Sequence, residues 1–350
     1  MVFKKVIAYQ KEGDAILVQS EPKIPKKIWQ ARQRIRPFIQ KSPLIPSTIL
    51  SNLTNKKVYF KLETANAIGA FKLRGAANKI LSLSKEEQSK GVTTFSTGNH
   101  GLAVSYVAKV LGLKAVVCVS NRVPQEKIDA LAQFGAELEI TGDRQDDAGE
   151  RCRELKRQYG MTIVPPFDDQ EVIAGQGTIG LELLDDLPQV DHCVIPLSGG
   201  GLLAGIGAAL KSADPDVRIS GVSIKGASAM SESLKKGYPV DVAETDTNAD
   251  SLLGGIGAHN QYTLKMVREV MDDLHLLTEP EIRRGMSHMV FKEQVMAEGA
   301  AAVGAAALLE EKLEQPGESI VLIVSGKNGD ISTLREEHDQ PLEDKKGACL

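Results

Sequence analysis

The strongest constraint on the fold is an alternation. From residue 92 to residue 325, short β-rich runs take turns with longer helical ones. Strands are expected at 92–96, 115–120, 137–141, 162–164, 192–197, 218–223 and 319–325, and helices at 101–111, 125–134, 145–159, 171–187 and 202–211. Strands joined through helices run parallel, because each crossover returns the chain to the same end of the sheet, and the helices then cover both faces. There are more such units than one small sheet needs. The expected fold is therefore α/β, with two open parallel twisted sheets and helices on both faces. A boundary near residue 89 and a return near Pro165-Pro166 would make 89–167 a small domain inserted in a large one of 26–88 and 168–335. Residues 1–25 would then be an N-terminal extension and 336–350 a C-terminal tail. The length of 350 residues suits two such layers.

Before the alternation begins, Ile28, Ala31, Ile35 and Ile39 recur at helical spacing with arginines on the other face, which predicts an amphipathic helix over 28–39. Residues 42–53 read as a loop and a short strand, punctuated by Pro43 and Pro46. Composition narrows the partners. A formal net charge of −4 argues against nucleic acid or an anionic membrane surface, and an aromatic content of 4% offers no platform for stacking bases. No apolar run is long enough to cross a bilayer, so a cytoplasmic location is the expectation. Cys118, Cys152, Cys193 and Cys349 lack metal-ligand spacing and read as reduced thiols.

In open α/β sheets, sites form outside the carboxyl ends of the strands. Four stretches fall there. In Ala67-Ile68-Gly69-Ala70-Phe71-Lys72-Leu73-Arg74-Gly75-Ala76, Lys72 lies between Phe71 and Leu73, at the start of a helix that would carry it inward. A desolvated lysine loses proton affinity and becomes a nucleophile toward aldehydes, although most lysines at helix starts are solvated. Ser96-Thr97-Gly98-Asn99-His100-Gly101 follows a strand and opens a helix, where backbone N–H groups suit a carboxylate; alone, it also fits a helix cap with a packed histidine. Ser198-Gly199-Gly200-Gly201-Leu202 lets the backbone approach a phosphate closely. Gly199, Gly201 and Ala204 also match a relaxed dinucleotide pattern, but the following strand ends in Ser223, Ile224 and Lys225 instead of the acidic residue that a ribose needs. Ser325-Gly326-Lys327-Asn328 puts a hydroxyl at the last strand end, and by itself it reads equally as a turn. A lysine for an aldehyde, a phosphate cradle and a hydroxyl together describe a pyridoxal phosphate site.

With these four motifs in this order, the chain resembles the fold-type II pyridoxal-phosphate enzymes, whose fold is that of the tryptophan synthase β subunit, in the threonine dehydratase and serine racemase branch. The resemblance runs from about residue 28 to 332. It implies that Lys72 binds the cofactor covalently, Phe71 packs beside it, Asn99 bonds its phenolic oxygen, Gly199, Gly200, Gly201 and Leu202 hold its phosphate, and Ser325 faces its ring nitrogen. Ser96, Thr97, Asn99 and His100 would bind the substrate carboxylate. The implied reaction is β-elimination of a 3-hydroxy amino acid such as threonine or serine to a 2-oxo acid and ammonia. Racemisation and β-replacement on the same fold are the alternatives, and a nucleotide-binding dehydrogenase or a silent binding protein are readings from other classes.

Departures from the family pattern are informative. Ala70 replaces the usual serine before Phe71, Thr97 stands where serine racemase has its second proton carrier, and Ser251 replaces a glycine after Ala249-Asp250. Ser223-Ile224-Lys225-Gly226-Ala227-Ser228-Ala229 lacks the acidic side chains with which some relatives bind a divalent cation, so no metal is expected. The pattern is most similar to the dehydratase-like proteins of hydroxyectoine utilisation. Relatives are commonly homodimers, and the same is expected here. With the residues given after 332, an amino-acid-binding regulatory domain is not expected.

Overall fold

The computed structural model describes residues 23–331, apart from 124, 144 and 314–316, together with residue 334. Most of the expected N-terminal extension, the tail 336–350 and Cys349 lie outside the described residues. In chain order the elements are α1 (Ile24–Ile35), β1 (Leu44–Pro46), α2 (Thr48–Thr54), β2 (Lys57–Leu62), α3 (Lys72–Ser82) and α4 (Lys85–Lys90). Next come β3 (Val92–Thr94), α5 (Asn99–Leu111), β4 (Ala115–Val119), α6 (Gln125–Gln133), β5 (Glu137–Ile140), α7 (Gln145–Tyr159) and β6 (Thr162–Ile163). The chain finishes with α8 (Gln170–Asp186), β7 (His192–Pro196), α9 (Gly201–Ala213), β8 (Arg218–Ile224), α10 (Ala229–Lys236), α11 (Thr263–Val270), β9 (Asp273–Leu277), α12 (Glu279–Ser287), α13 (Gly299–Leu309) and β10 (Ser319–Val324). Two short 3-10 turns (Glu63–Ala65 and Asp250–Leu252) and a π-helical turn (His288–Lys292) complete it.

The strands form two sheets, a six-stranded one ordered β1-β2-β10-β7-β8-β9 and a four-stranded one ordered β5-β4-β3-β6. The four-stranded sheet is parallel throughout and takes all its strands from residues 92–163. In the larger sheet β2, β10, β7, β8 and β9 are parallel, but β1 pairs antiparallel with β2, so the expectation of two wholly parallel sheets is corrected to one mixed and one parallel. Residues 47–56 are too short a link for a parallel crossover, which takes about a dozen residues or more, and Pro46 is tolerated because β1 is an edge. That link holds the helix α2, which the reading of 42–53 as loop and strand did not include. Ser47 caps α2 by accepting the Leu50 N–H. The helix expected over 28–39 spans Ile24–Ile35 instead, with Ile28, Ala31 and Ile35 buried as expected. Arg36 is still helical, with its N–H on the Arg32 carbonyl, but Pro37 has no N–H to carry the ladder on, and the helix stops early.

Strand β10 shows why the centre of the large sheet is covered on both faces. Ile320, Leu322 and Val324 point into one apolar cluster with α13, and Val321 and Ile323 into another with α8 and α9, the period of two that a pleated strand requires. Such a strand reads as an unbroken apolar run, as 320–324 does. Among the described residues, no helix is long and apolar enough to cross a membrane.

Candidate active site

The site grows from the loop that delivers α3. Asn66 knots this loop: its Oδ1 accepts the N–H groups of Ile68 (3.1 Å) and Ala70 (3.3 Å), and its Nδ2 donates to the carbonyls of Glu63 (2.8 Å) and Ala70 (2.7 Å). Phe71 then donates its N–H to the Ser325 carbonyl at 2.9 Å, which fixes the first turn of α3 against the end of β10. Lys72 projects from that turn. Its Nζ donates to the Pro166 carbonyl at 2.7 Å and lies 5.2 Å from the centre of the Phe71 ring. Burial pushes the amine down to a pKa of about 8, with the Glu298 carboxylate pulling the other way. An appreciable fraction of such an amine is neutral near pH 7–8, which is what a nucleophile toward an aldehyde requires.

The next residue after Pro166, Phe167, lies against the glycine loop. A Cβ at Gly199 would come within 2.3 Å of the Phe167 ring, and Gly200 has φ +87°, the left-handed region that glycine favours. The loop leads into α9, whose N-terminus no side chain caps. Its first N–H groups, with the turn at Gly200 ahead of them, make an anion site. Leu202 is buried in that first turn and can offer the site only its backbone. Ser325, 4% exposed, stands one residue beyond β10.

The small parallel sheet contributes the loop 96–100, at the carboxyl end of β3. Ser96 and Thr97 are half-buried there. Asn99 opens α5 and reaches across to the larger sheet: its Nδ2 donates to Glu298 Oε1 (3.0 Å) and Oε2 (3.2 Å), and its Oδ1 accepts from Asn328 Nδ2 (2.7 Å). His100 is 2% exposed, with Nε2 2.9 Å from the Val164 carbonyl and Nδ1 without a hydrogen-bond partner. Burial, then the Lys72 charge, push its pKa down to about 3, so it is neutral at physiological pH. The structure thus gathers Lys72, Phe71, the glycine loop, Ser325 and Asn99 at the facing carboxyl ends of the two sheets, while the His100 ring bonds a neighbouring strand. Glu298 and the pair Pro166-Phe167 were not expected in the site. Glu298 had one sequence signal, as the lone acid before a helix that is apolar throughout, Gly299–Leu309.

A desolvated primary amine, an uncapped helix N-terminus behind glycines and a strand-end hydroxyl fit an aldehyde that carries a phosphate. The residues present therefore suit pyridoxal phosphate. Comparison with known proteins agrees. The family model described as "Pyridoxal-phosphate dependent enzyme" matches residues 35–326. A Sinorhizobium fredii protein provisionally named a threonine dehydratase is 44% identical over 311 residues, covering 89% of this chain and 94% of the other. The structure of maize serine racemase superposes with a TM-score of 0.84 at 32% identity, covering 89% of this chain and 96% of that one. The processed form of threonine deaminase isoform 2 from Solanum lycopersicum gives 0.81 at 32% identity, with 94% and 92% covered. The chain belongs to the family of pyridoxal-phosphate dependent enzymes, and within it is similar to threonine dehydratases and serine racemases. It is a pyridoxal-phosphate-dependent enzyme of the dehydratase or lyase kind.

Proposed function

We propose that the protein catalyses β-elimination of a 3-hydroxy amino acid such as threonine or serine, giving a 2-oxo acid and ammonia, in the cytoplasm and in the setting of hydroxyectoine catabolism. The observation that carries this reading is the Lys72 amine, desolvated to a pKa of about 8 and bonded to the Pro166 carbonyl, next to the Phe167 that lies against the glycine loop. When bound, pyridoxal phosphate supplies an aldehyde with which amines condense and a sink for the charge left when the Cα proton departs. Lys72 would hold the cofactor through its amine, and that amine, when free, would take the Cα proton of the substrate. The N–H groups of Gly199, Gly200, Gly201 and Leu202 hold the phosphate, and Phe71 packs beside the lysine. Asn99 would bond the cofactor's phenolic oxygen, and Ser325 would face its ring nitrogen. Being neutral, the Ser325 hydroxyl would not enforce a protonated ring nitrogen, which would favour loss of the substrate's β-hydroxyl. Ser96, Thr97, Asn99 and His100 form the substrate carboxylate site at the start of α5.

In this reading 89–167 is the small domain and 26–88 with 168–335 the large one, with the site at their junction, and the protein is a homodimer. Exposed Ile49, Leu53 and Met296 lie on α2 and next to the π-helical turn, segments joined by the bond from Ser47 Oγ to Glu293 Oε1 at 2.6 Å. The Thr97 hydroxyl and the likeness to serine racemase favour racemisation as a second reading.

The test is an absorbance spectrum of the purified protein, before and after L-threonine, L-serine and threo-3-hydroxyaspartate in turn. A visible cofactor band with 2-oxo acid and ammonia from one substrate supports elimination; a D-amino acid without oxo acid supports the second reading. Absence of a band after added pyridoxal phosphate overturns both. Sedimentation velocity reads the subunit number.

A further inference from the structure

Glu298 is a buried carboxylate to which the reaction above gives no role. It stands at the entry to α13 and is 3% exposed. A carboxylate is unfavourable out of water unless hydrogen-bond donors are held against it. Here the donors are Asn99 Nδ2, at 3.0 and 3.2 Å from the two oxygens, and the Asn328 backbone N–H, at 2.9 Å from Oε2. Both groups donate, which suits the ionised form. Asn99 belongs to the layer of the four-stranded sheet, whereas Glu298 and Asn328 belong to that of the six-stranded one. The Asn328 side chain closes the ring by donating to Asn99 Oδ1 at 2.7 Å and to the Ile68 carbonyl, in the loop before Lys72, at 2.7 Å.

We propose that Glu298 is a positioning residue: it clamps the Asn99 amide and the Asn328 loop together across the two layers, aims the second Asn99 N–H at the cofactor, and supplies the negative charge that balances Lys72. This rests on the pyridoxal-phosphate reading of the site. The other charged group that faces Glu298 is Asp250, whose carboxylate is paired with Lys127 of α6 at 3.4 Å. Burial first, and then Asp250, leave the Glu298 pKa raised above the usual carboxylate range, and the Asn99 and Asn328 bonds work against that shift, so the charge depends on the clamp staying made.

The experiment follows the visible band of the cofactor-loaded protein as a function of pH, in wild type, Glu298→Gln, Glu298→Asp, Asn99→Ala and the double variant. Glu298 holds the proton on the Lys72 nitrogen, so Glu298→Gln is expected to move the midpoint of the band's pH titration down by about one unit or more. KM for the amino acid is expected to rise as Asn99 loses its orientation, and Glu298→Asp to return the midpoint toward wild type. Adding Glu298→Gln to Asn99→Ala is expected to raise KM no further, because the amide it orients is already gone. An unchanged midpoint in a folded Glu298→Gln protein overturns the inference, as does a strictly additive double variant. If Glu298→Gln does not fold, Asn99→Ala decides: Glu298 then loses a donor and part of its charge, so the midpoint is expected to fall, and an unchanged midpoint overturns the inference. A wild-type protein that shows no band with added pyridoxal phosphate removes the functional reading instead, so the two failures are distinct.

Discussion

Two cations two residues apart on α3 have been taken out of water with opposite results. The Arg74 guanidinium, 1% exposed, is enclosed by carboxylates: Nε and Nη2 donate to the two oxygens of Glu63 at 2.8 and 2.9 Å, and Nη1 and Nη2 to those of Glu182 at 2.6 and 2.9 Å. Thr178 Oγ1 and Ser42 Oγ accept at 3.2 Å each, and Lys61, also fully buried, donates to Glu182 at 2.7 Å. Burial works against the charge on Arg74, but Glu63 and Glu182 outweigh it and raise its pKa. Lys72 has one carbonyl and no carboxylate within hydrogen-bond reach, and there burial wins, bringing the amine down to about 8. Burial alone therefore does not mark a reactive group. The partners decide, and one turn of helix holds a locked charge beside an available amine.

The comparison is broken most severely at its reactive half. Lys72→Ala is expected to lower activity by about a thousandfold or more, since the cofactor's attachment and the base for the Cα proton go together. Stability should fall far less than in Arg74→Met, because no carboxylate is bonded to Lys72 and Glu298 keeps its Asn99 and Asn328 donors. Steady-state kinetics and a urea titration of the same sample read both numbers. A large fall in stability would mean that Lys72 belongs to the structural network after all.

Arg74→Met exchanges the roles. It leaves Glu63 and Glu182 buried with Lys61 as their remaining cation, and breaking such a set costs about 3–5 kcal/mol. The urea midpoint should fall accordingly, and Arg74→Lys should recover only part of it, because an ammonium cannot bridge two carboxylates in the planar fork of a guanidinium. Activity lost without stability lost would make Arg74 part of the chemistry and end the contrast.

How far each half could be read in advance follows from the same physics. Lys72 was legible because its flanking apolar residues and the loops at 96–101, 198–202 and 325–328 each carry a local pattern that repeats the same message. The Arg74 network was not, since its partners Glu63 and Glu182 lie 11 and 108 positions away and nothing local links them. Glu298 fell between: an acid before an apolar helix was visible, but its partner Asn99 is 199 positions distant. The strand runs of the parallel layers were readable from their β-rich apolar residues, whereas β1 reversed direction for want of linker length, and α2 beside it went unread.

The depressed Lys72 pKa predicts a milder effect on pH dependence. Protein freed of its cofactor should take up pyridoxal phosphate in proportion to the neutral amine. The observed rate should be flat above about pH 8 and fall about tenfold for each unit below it, where an ordinary lysine would rise until its own value of 10.5. Stopped-flow absorbance across pH 6–10 reads the curve. A plateau reached only near 10.5 would mean that water reaches Lys72 as freely as it reaches a surface lysine, and the distinction from Arg74 would be one of partners only.

The smallest effect is expected where charge meets solvent. Lys127 and Asp250 pair at 3.4 Å between the layers of the two sheets, with side chains 47% and 53% exposed. Like the Asn99–Glu298 contact, this pair links layers that belong to different sheets, but water surrounds it. Exposed pairs are worth about 0–1 kcal/mol, and screening at about 0.5 M salt removes most of that. Lys127→Gln should therefore lower the urea midpoint only slightly in low salt, and its curve should merge with that of wild type as salt is raised. The Arg74→Met deficit should persist in the same titration, because salt does not reach Glu63 and Glu182. A Lys127→Gln loss that rivals Arg74→Met, or one that salt leaves untouched, would show that ion pairs count here irrespective of water. Exclusion of water would then no longer explain why partners decide the fate of the two cations on α3.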